Sequence, residues 1–363
     1  MIRVLIVDDS ALMRAFLSRV VHSQPDMDVV AVAADPLVAI EQIRLRSPDV
    51  ITLDVEMPRM NGLDFLRRLM SVRPLPVVMI SSLTRDGAQT TMRALELGAV
   101  DFVAKPQDIT QLEASAGDIA DKIRAASMAR IGRRTPGVAE RQPVRAPVRS
   151  APPAAAGRTP EGVIAIGAST GGVEALRELL AGLPAAMPPV VIAQHMPPGY
   201  TDAFARRLDA ICEIGVKEAQ DGEAARSGVA YIAPGGRHLT VLRRPSCYVL
   251  RVSDDPPVNR HRPSVDTLFR GVATSARERA IAVMLTGMGA DGADAMLQLS
   301  AAGGYTIAQD EASCVVFGMP RQAIALGAVR EVLPLGQIAR RLVELSGSET
   351  GRPSGFAGLS RSG

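Results

Sequence analysis

Short apolar runs alternate with helix-periodic stretches along most of the chain, and no other feature restricts its fold as much. In the first third the apolar runs are Arg3–Val7, Val29–Ala33, Val50–Leu53, Val77–Ile80 and Phe102–Ala104. The stretches that follow them, Ala11–Leu17, Ala39–Leu45, Leu63–Met70, Ala88–Leu97 and Ile109–Ala126, carry apolar residues at helical spacing. Strands with no polar alternation must be covered on both faces, so this pattern predicts a parallel sheet sandwiched between helices. After a break it resumes: Val163–Ile166 precedes a helix at Val173–Leu180, Val190–Ala193 precedes one at Thr201–Ala210, and Val229–Ala233 is a third strand. Leu239–Leu242 and Tyr248–Val252 read as a hairpin, Val265–Ala276 as a helix, and Ala280–Leu285 and Tyr305–Ala308 as further strands. The fold expected is α/β: two doubly wound parallel-sheet domains, the first five-stranded, the second a larger three-layer αβα unit.

The break between them is compositional. Residues 130–160 are rich in Pro, Arg and Ala, without helical or strand period, and spaced prolines favour an extended, semi-stiff tether. Its arginines also allow a nucleic-acid arm, but the interleaved prolines favour a linker. The expected divisions are residues 1–126, a linker at 127–160, a second domain at 161–346 and a Gly/Ser-rich disordered tail at 347–363. A length of 363 residues agrees with two domains. Net charge is only +3 and aromatics are 3% of residues, which argues against a nucleic-acid surface. The first residues read as a strand rather than a signal peptide, and no apolar run approaches ~18 residues, so no membrane insertion is expected. Cys212, Cys247 and Cys314 have neither metal spacing nor even pairing, which fits a reducing cytoplasm.

Ligands of such sheets bind beyond the C-terminal ends of the strands. In the first domain those ends carry Asp8-Asp9, Asp54, Ser81-Ser82 and Lys105-Pro106. Converging carboxylates raise one another's pKa unless a cation joins them, and an all-oxygen set suits Mg²⁺. Lysine occurs only as Lys105, Lys122 and Lys217, and Lys105 can neutralise a transferred phosphoryl group. With Glu56-Met57-Pro58, Asn61-Gly62 and Phe102 added, this third of the chain resembles the receiver domain of two-component response regulators. The resemblance implies phosphorylation of Asp54 by a histidine kinase, Mg²⁺ on Asp9, Asp54 and the Glu56 carbonyl with Asp8 nearby, a Ser81 hydroxyl bound to the phosphoryl group, and Phe102 as a rotameric reporter.

In the second domain Gly167-Ala168-Ser169-Thr170-Gly171-Gly172 joins a buried run to a helix. Ser169 there meets a helix N-terminus and flexible glycines, which suits a nucleophile that generates an oxyanion. Taken alone, the hexapeptide equally describes Ser169 or Thr170 capping the helix. His195 and Asp291 also follow apolar runs, and a serine needs a base oriented by an acid. The hydrolase order Ser-acid-His would instead need Asp221 or Asp254 with His238 or His261, none as well placed. Gly287-Met288-Gly289-Ala290-Asp291-Gly292 also fits a dinucleotide fingerprint, with Asp310 18 residues beyond its last glycine, but an acid inside the loop would repel pyrophosphate.

With Gln194-His195-Met196, residues 261–266, Thr286–Gly292 and Ala312–Pro320, the whole arrangement resembles the chemotaxis response-regulator methylesterases. That resemblance implies hydrolysis of γ-glutamyl methyl esters on chemoreceptors, deamidation of particular receptor glutamines, and catalysis by Ser169, His195 and Asp291. It also implies that the Met288 N–H and Thr170 support the active site, that the esterase chemistry needs no cofactor, and that the unphosphorylated receiver packs across the site. The alternative from another class is a phosphorylation-controlled binding protein without ester chemistry.

Overall fold

The structure, a computed structural model, describes residues 1–57, 60–82, 84–106, 109–130 and 162–347. The linker and tail expectations therefore fall almost wholly outside the described residues. The first unit runs β1 (Ile2–Val7), α1 (Ala11–His22), β2 (Met27–Ala33), α2 (Pro36–Arg46), β3 (Val50–Asp54), α3 (Gly62–Val72), β4 (Val77–Ser81), α4 (Arg85–Glu96), β5 (Asp101–Ala104) and α5 (Ile109–Ser127). Its strands pair in parallel in the order β2-β1-β3-β4-β5. Every residue of β3 and β4 is buried, as expected of strands covered on both faces.

The second unit continues with β6 (Val163–Ala168), α6 (Gly172–Ala181), β7 (Val190–Gln194), α7 (Thr201–Asp209), β8 (Gly215–Glu218), β9 (Ala224–Ala225), β10 (Val229–Ile232), β11 (His238–Arg243) and β12 (Tyr248–Ser253). It closes with α8 (Val265–Ser275), β13 (Ala280–Met284), α9 (Ala293–Ala301), β14 (Tyr305–Gln309), α10 (Met319–Ala325), β15 (Glu331–Leu333) and α11 (Leu335–Gly347). The main sheet is parallel, in the order β15-β14-β13-β6-β7-β10-β8. The expected hairpin β11–β12 forms a small antiparallel sheet with β9. The two edge strands, β8 and β15, were not expected. Each is short and mostly half-exposed, so neither carries the apolar run that marks a central strand.

The order places both candidate sites. In the first sheet the chain winds outward in opposite directions from the β1/β3 junction, where Asp8-Asp9 and Asp54 emerge. In the second it winds from β6 through β7 to β10, then crosses to β13, so Ser169 and the 285–292 loop face each other across the β6/β13 junction. Such crossings leave the crevice in which doubly wound sheets hold ligands. One apolar cluster spans both units, from Met92, Leu95 and Phe102 to Leu176, Tyr200 and Phe204, because α4 packs on α6 and α7. Among the described residues no helix is long and apolar enough to cross a membrane.

Candidate active site

Ser169, His195 and Asp291 meet at the β6/β13 crevice. The Ser169 hydroxyl lies 3.1 Å from His195 Nδ1, and His195 Nε2 lies 2.8 Å from Asp291 Oδ2. With Nε2–H donated to the carboxylate, Nδ1 is left as the acceptor facing the serine. The backbone fixes these positions. Ser169 N–H donates to Thr286 O (3.0 Å), His195 N–H to Ala168 O (3.1 Å), and the buried Thr286 hydroxyl to Thr170 O (3.0 Å). The Gln194 amide donates to the carbonyls of both Ser169 (3.0 Å) and His195 (3.2 Å). Gly287 is required by contact: a Cβ there would stand 2.7 Å from Ser169 Cβ and 2.3 Å from Met319 Sδ. The capping alternative does not describe this hydroxyl, since α6 starts behind Gly171, at φ 78°, without a side-chain cap.

Asp291 is buried and accepts from several donors. Oδ1 receives the Asn259 amide (2.8 Å) and the Ser264 hydroxyl (2.8 Å), and Oδ2 the Val265 N–H (2.6 Å) at the first turn of α8. Burial alone would raise its pKa. The contacts to His195, Asn259 and Ser264 outweigh that and hold it well below the usual carboxylate range, so it stays ionised. His261 stacks on His195 with ring centroids 3.8 Å apart and planes 12° from parallel. Burial, then the neighbouring imidazole, push its pKa down to about 3, so it packs as a neutral ring. Sequence reasoning gave His261 a role only as an alternative base; it did not single out Asn259, and Ser264 and Gln194 entered only within the segments that carry the family resemblance. The signal for Asn259 and Ser264 was their closeness to His261 in a loop otherwise short of apolar residues.

The rival assignments separate in space. His238 is buried between Ser264 N–H and Pro256 O, Asp254 pairs with Arg237, and Asp221 accepts Val252 N–H. Asp310 accepts the Ser313 N–H and hydroxyl in a turn.

At the other crevice Asp8 and Asp54 are buried and Asp9 is exposed, with carboxylate oxygens within 4.8 Å of one another. Lys105 Nζ sits 2.7 Å from Asp54 Oδ2 and 3.4 Å from Asp8 Oδ2. Burial, helped by the Asp8 charge and opposed by Lys105, raises the Asp54 pKa to about 6; burial likewise raises that of Asp8. Asp8 Oδ2 is a buried oxygen that accepts no hydrogen bond. An oxygen without a hydrogen bond, in an all-carboxylate group that opens to solvent at Asp9, fits a hard divalent cation. Glu56 N–H lies 3.3 Å from Asp54 Oδ1, and the Glu56 side chain accepts the Ser82 hydroxyl (3.0 Å). The Ser81 hydroxyl is engaged by α4: it accepts from Thr91 (2.6 Å) and lies 3.3 Å from Gly87 O.

The two sites are joined by a specific interface. Phe102 packs against Tyr200, with centroids 4.5 Å apart, and the Tyr200 hydroxyl lies 3.2 and 3.1 Å from the carbonyl oxygens of Ser81 and Ser82. The Thr170 hydroxyl, next to Ser169, donates to Asp101 Oδ2 on the first sheet (2.6 Å). Thr170 thus bears on the site through its backbone and position, its hydroxyl being committed elsewhere. A cavity of about 300 Å³ lies over Ser169, His195 and Met288, and its far wall is Asp118, Asp121 and Lys122 of α5.

Fold and site define a class: an α/β chain whose first sheet ends in a receiver-type acidic rim and whose second carries a Ser-His-Asp cluster facing a covered cavity. Residues 4–116 match the family model for the response regulator receiver domain, and residues 164–342 that for CheB methylesterase. A protein-glutamate methylesterase/protein-glutamine glutaminase 3 of Burkholderia lata is 56% identical over 348 residues, which cover 94% of this chain and 95% of that protein. A protein-glutamate methylesterase/protein-glutamine glutaminase of Pectobacterium atrosepticum is 56% identical over 345 residues, covering 94% and 96%. Among solved structures, the Thermotoga maritima CheB methylesterase catalytic domain is 41% identical, with a TM-score of 0.50, over 51% of this chain and 98% of that one. The chain belongs to the CheB methylesterase family.

Proposed function

We propose that the chain is a phosphorylation-activated esterase that hydrolyses γ-glutamyl methyl esters on chemoreceptors, and deamidates particular receptor glutamines, in the cytoplasm. The observation that carries this reading is the bridging imidazole: His195 spans Ser169 and Asp291 at the mouth of the covered cavity. Ser169 Oγ attacks the ester carbonyl while its proton passes to His195 Nδ1. Asp291, kept ionised, stabilises the imidazolium. The Met288 N–H, on the loop after β13, supports the oxyanion, a kind of contact whose removal typically costs ~10²–10³ in rate. His195 returns the proton to departing methanol, or to ammonia when the substrate is glutamine. Water then attacks the glutamyl–Ser169 ester, its proton goes to His195, and the glutamate carboxylate leaves as Ser169 is reprotonated.

Control is assigned to the first domain, within the divisions 1–126, 127–160, 161–346 and 347–363. Asp54 accepts a phosphoryl group from a chemotaxis histidine kinase. Asp9, Asp54 and the Glu56 carbonyl, with Asp8 beside them, would hold Mg²⁺, which when bound neutralises the charge that gathers there. Lys105, already on Asp54, is placed to meet the phosphoryl oxygens. Drawing the Ser81 hydroxyl away from Thr91 toward the phosphoryl group moves the backbone that Tyr200 grips, and frees the space into which Phe102 reorients. The α5 wall then leaves the cavity. Carrying such an equilibrium from 1:99 to 99:1 takes about 5.5 kcal/mol of differential stabilisation.

Labelling with a serine-directed phosphonate tests the reading. The adduct is expected on the peptide containing Ser169, forming faster with a small phosphodonor and Mg²⁺ present. An unlabelled Ser169 in both conditions would replace the esterase with a phosphorylation-controlled binding module.

A further inference from the structure

The rim of the esterase cavity carries a residue that the mechanism above does not use. Val258 and His261 exchange backbone hydrogen bonds, Val258 N–H to His261 O at 3.1 Å and His261 N–H to Val258 O at 2.9 Å, so Asn259 and Arg260 form the tip of a two-residue turn. Both tip residues are left-handed, with φ of 52° and 67°. Turns of this kind favour Asn-Gly, because the second position suits a residue without a Cβ. Asn259 suits the first position and is also used, binding Asp266 and Asp291 through its amide. Arg260 occupies the place where glycine would be unstrained, so its side chain is what the position retains.

That side chain is 83% exposed and meets Asp121 of α5 at 3.4 Å. An exposed pair of this length adds little to holding two domains together. Charge around the cavity suggests a different use. Among the described residues the second domain lines it with Arg260 and Arg262 and with no carboxylate, while α5 contributes Asp118, Asp121 and Lys122 to its wall. Arg262 is committed through Nη1 to the carbonyls of Asp254 and Asp255. With α5 withdrawn, Arg260 is the guanidinium at the cavity mouth that has lost its partner.

We infer that Arg260 docks a carboxylate of an acidic peptide segment flanking the reacting side chain, and that Asp121 occupies this docking cation in the closed form as a mimic of substrate. The inference rests on the esterase reading. It makes the first domain a competitor for a substrate-binding charge as well as a lid. A planar, permanently charged guanidinium suits carboxylate recognition at a wet rim.

The test uses the full-length protein with phosphodonor and Mg²⁺, reading initial methanol release against the concentration of methylated receptor membranes. Arg260→Gly relaxes the tip and keeps the fold. It is expected to raise KM about three- to fivefold, the upper worth of an exposed ion pair, with kcat unchanged within about twofold. Arg260→Lys, which keeps the charge but loses the planar fork, is expected to give a KM between those of the wild type and Arg260→Gly. Raising salt to ~0.5 M should weaken wild-type binding toward that of Arg260→Gly. Without phosphodonor, Asp121→Ala should raise basal release. A KM unchanged in Arg260→Gly, or a fall confined to kcat, overturns the inference while leaving the esterase reading intact. An absence of release from the wild type in every condition overturns both.

Discussion

Asp291→Asn is the substitution whose consequences the structure defines most fully. The wild-type carboxylate faces donors on both oxygens: Asn259 Nδ2 and Ser264 Oγ at 2.8 Å on Oδ1, Val265 N at 2.6 Å and His195 Nε2 at 2.8 Å on Oδ2. An asparagine must turn its NH₂ toward one of these sides. Toward Oδ2 it opposes Val265 N–H and drives His195 to the tautomer with its proton on Nδ1, which can no longer accept from Ser169. Toward Oδ1 it opposes the Asn259 amide. Either way a buried donor is left without an acceptor, at about 1–3 kcal/mol of stability. The larger loss is catalytic, since an orienting acid replaced by its amide costs on the order of 10⁴ in kcat, about 5.5 kcal/mol of barrier. The assay is methanol release by phosphodonor-activated enzyme, with thermal unfolding run on the same samples. A folded Asp291→Asn protein with kcat within tenfold of wild type would refute the role given to Asp291 and the proton path through His195.

Three further outcomes follow from particular contacts. Tyr200→Phe removes the hydroxyl held between the Ser81 and Ser82 carbonyls, worth about 1–2 kcal/mol to the closed form, so methanol release without phosphodonor should rise ~5- to 30-fold; an unchanged basal rate would discount Tyr200 as a clamp. His261 resists protonation in the folded protein down to about pH 3, against 6.5 for an unperturbed imidazole. The unfolded chain therefore binds the extra proton between these values, and stability falls as pH falls through the window, by about 2 kcal/mol at pH 5. Denaturant titrations at pH 7 and pH 5 should show His261→Gln losing less stability than wild type by that amount, and equal losses would contradict the buried, neutral ring. Gly287→Ala forces a Cβ against Ser169 and Met319, and a displacement of the nucleophile approaching ~1 Å lowers kcat about 10²-fold; full activity would show that the loop yields freely.

The sheets were legible because central parallel strands are continuous apolar runs. Val163–Ala168 and Val50–Asp54 are buried at every position, and runs this short, rich in β-branched residues and followed by helix-periodic stretches, fit covered strands. Their polar termini were legible for the same reason, since a doubly wound sheet brings strand ends to one rim. Ser169, His195 and Asp291 do meet there, as do Asp8, Asp9, Asp54 and Lys105. The edge strands β8 and β15 were not legible, because each is only three or four residues long and carries charged residues in place of a continuous apolar run. The resemblance implies that the receiver packs across the site, but which residues make the contact was equally hidden. Tyr200 lies in a Pro-Gly-Tyr turn and Arg260 in a polar loop, and no local pattern tells that one grips the Ser81 backbone and the other meets Asp121. His261 shows the limit most clearly: the sequence places it near the site, but only three-dimensional packing distinguishes a stacked neutral ring from a second base.

The most direct test of the central claim is methanol release from methylated receptor membranes by wild-type protein and Ser169→Ala, each with and without a small phosphodonor and Mg²⁺. The account predicts release by wild type that rises with phosphodonor, and none above background from a folded Ser169→Ala protein in either condition. Substantial release by Ser169→Ala would contradict the assignment of the nucleophile, and wild-type release indifferent to phosphodonor would contradict the control assigned to Asp54.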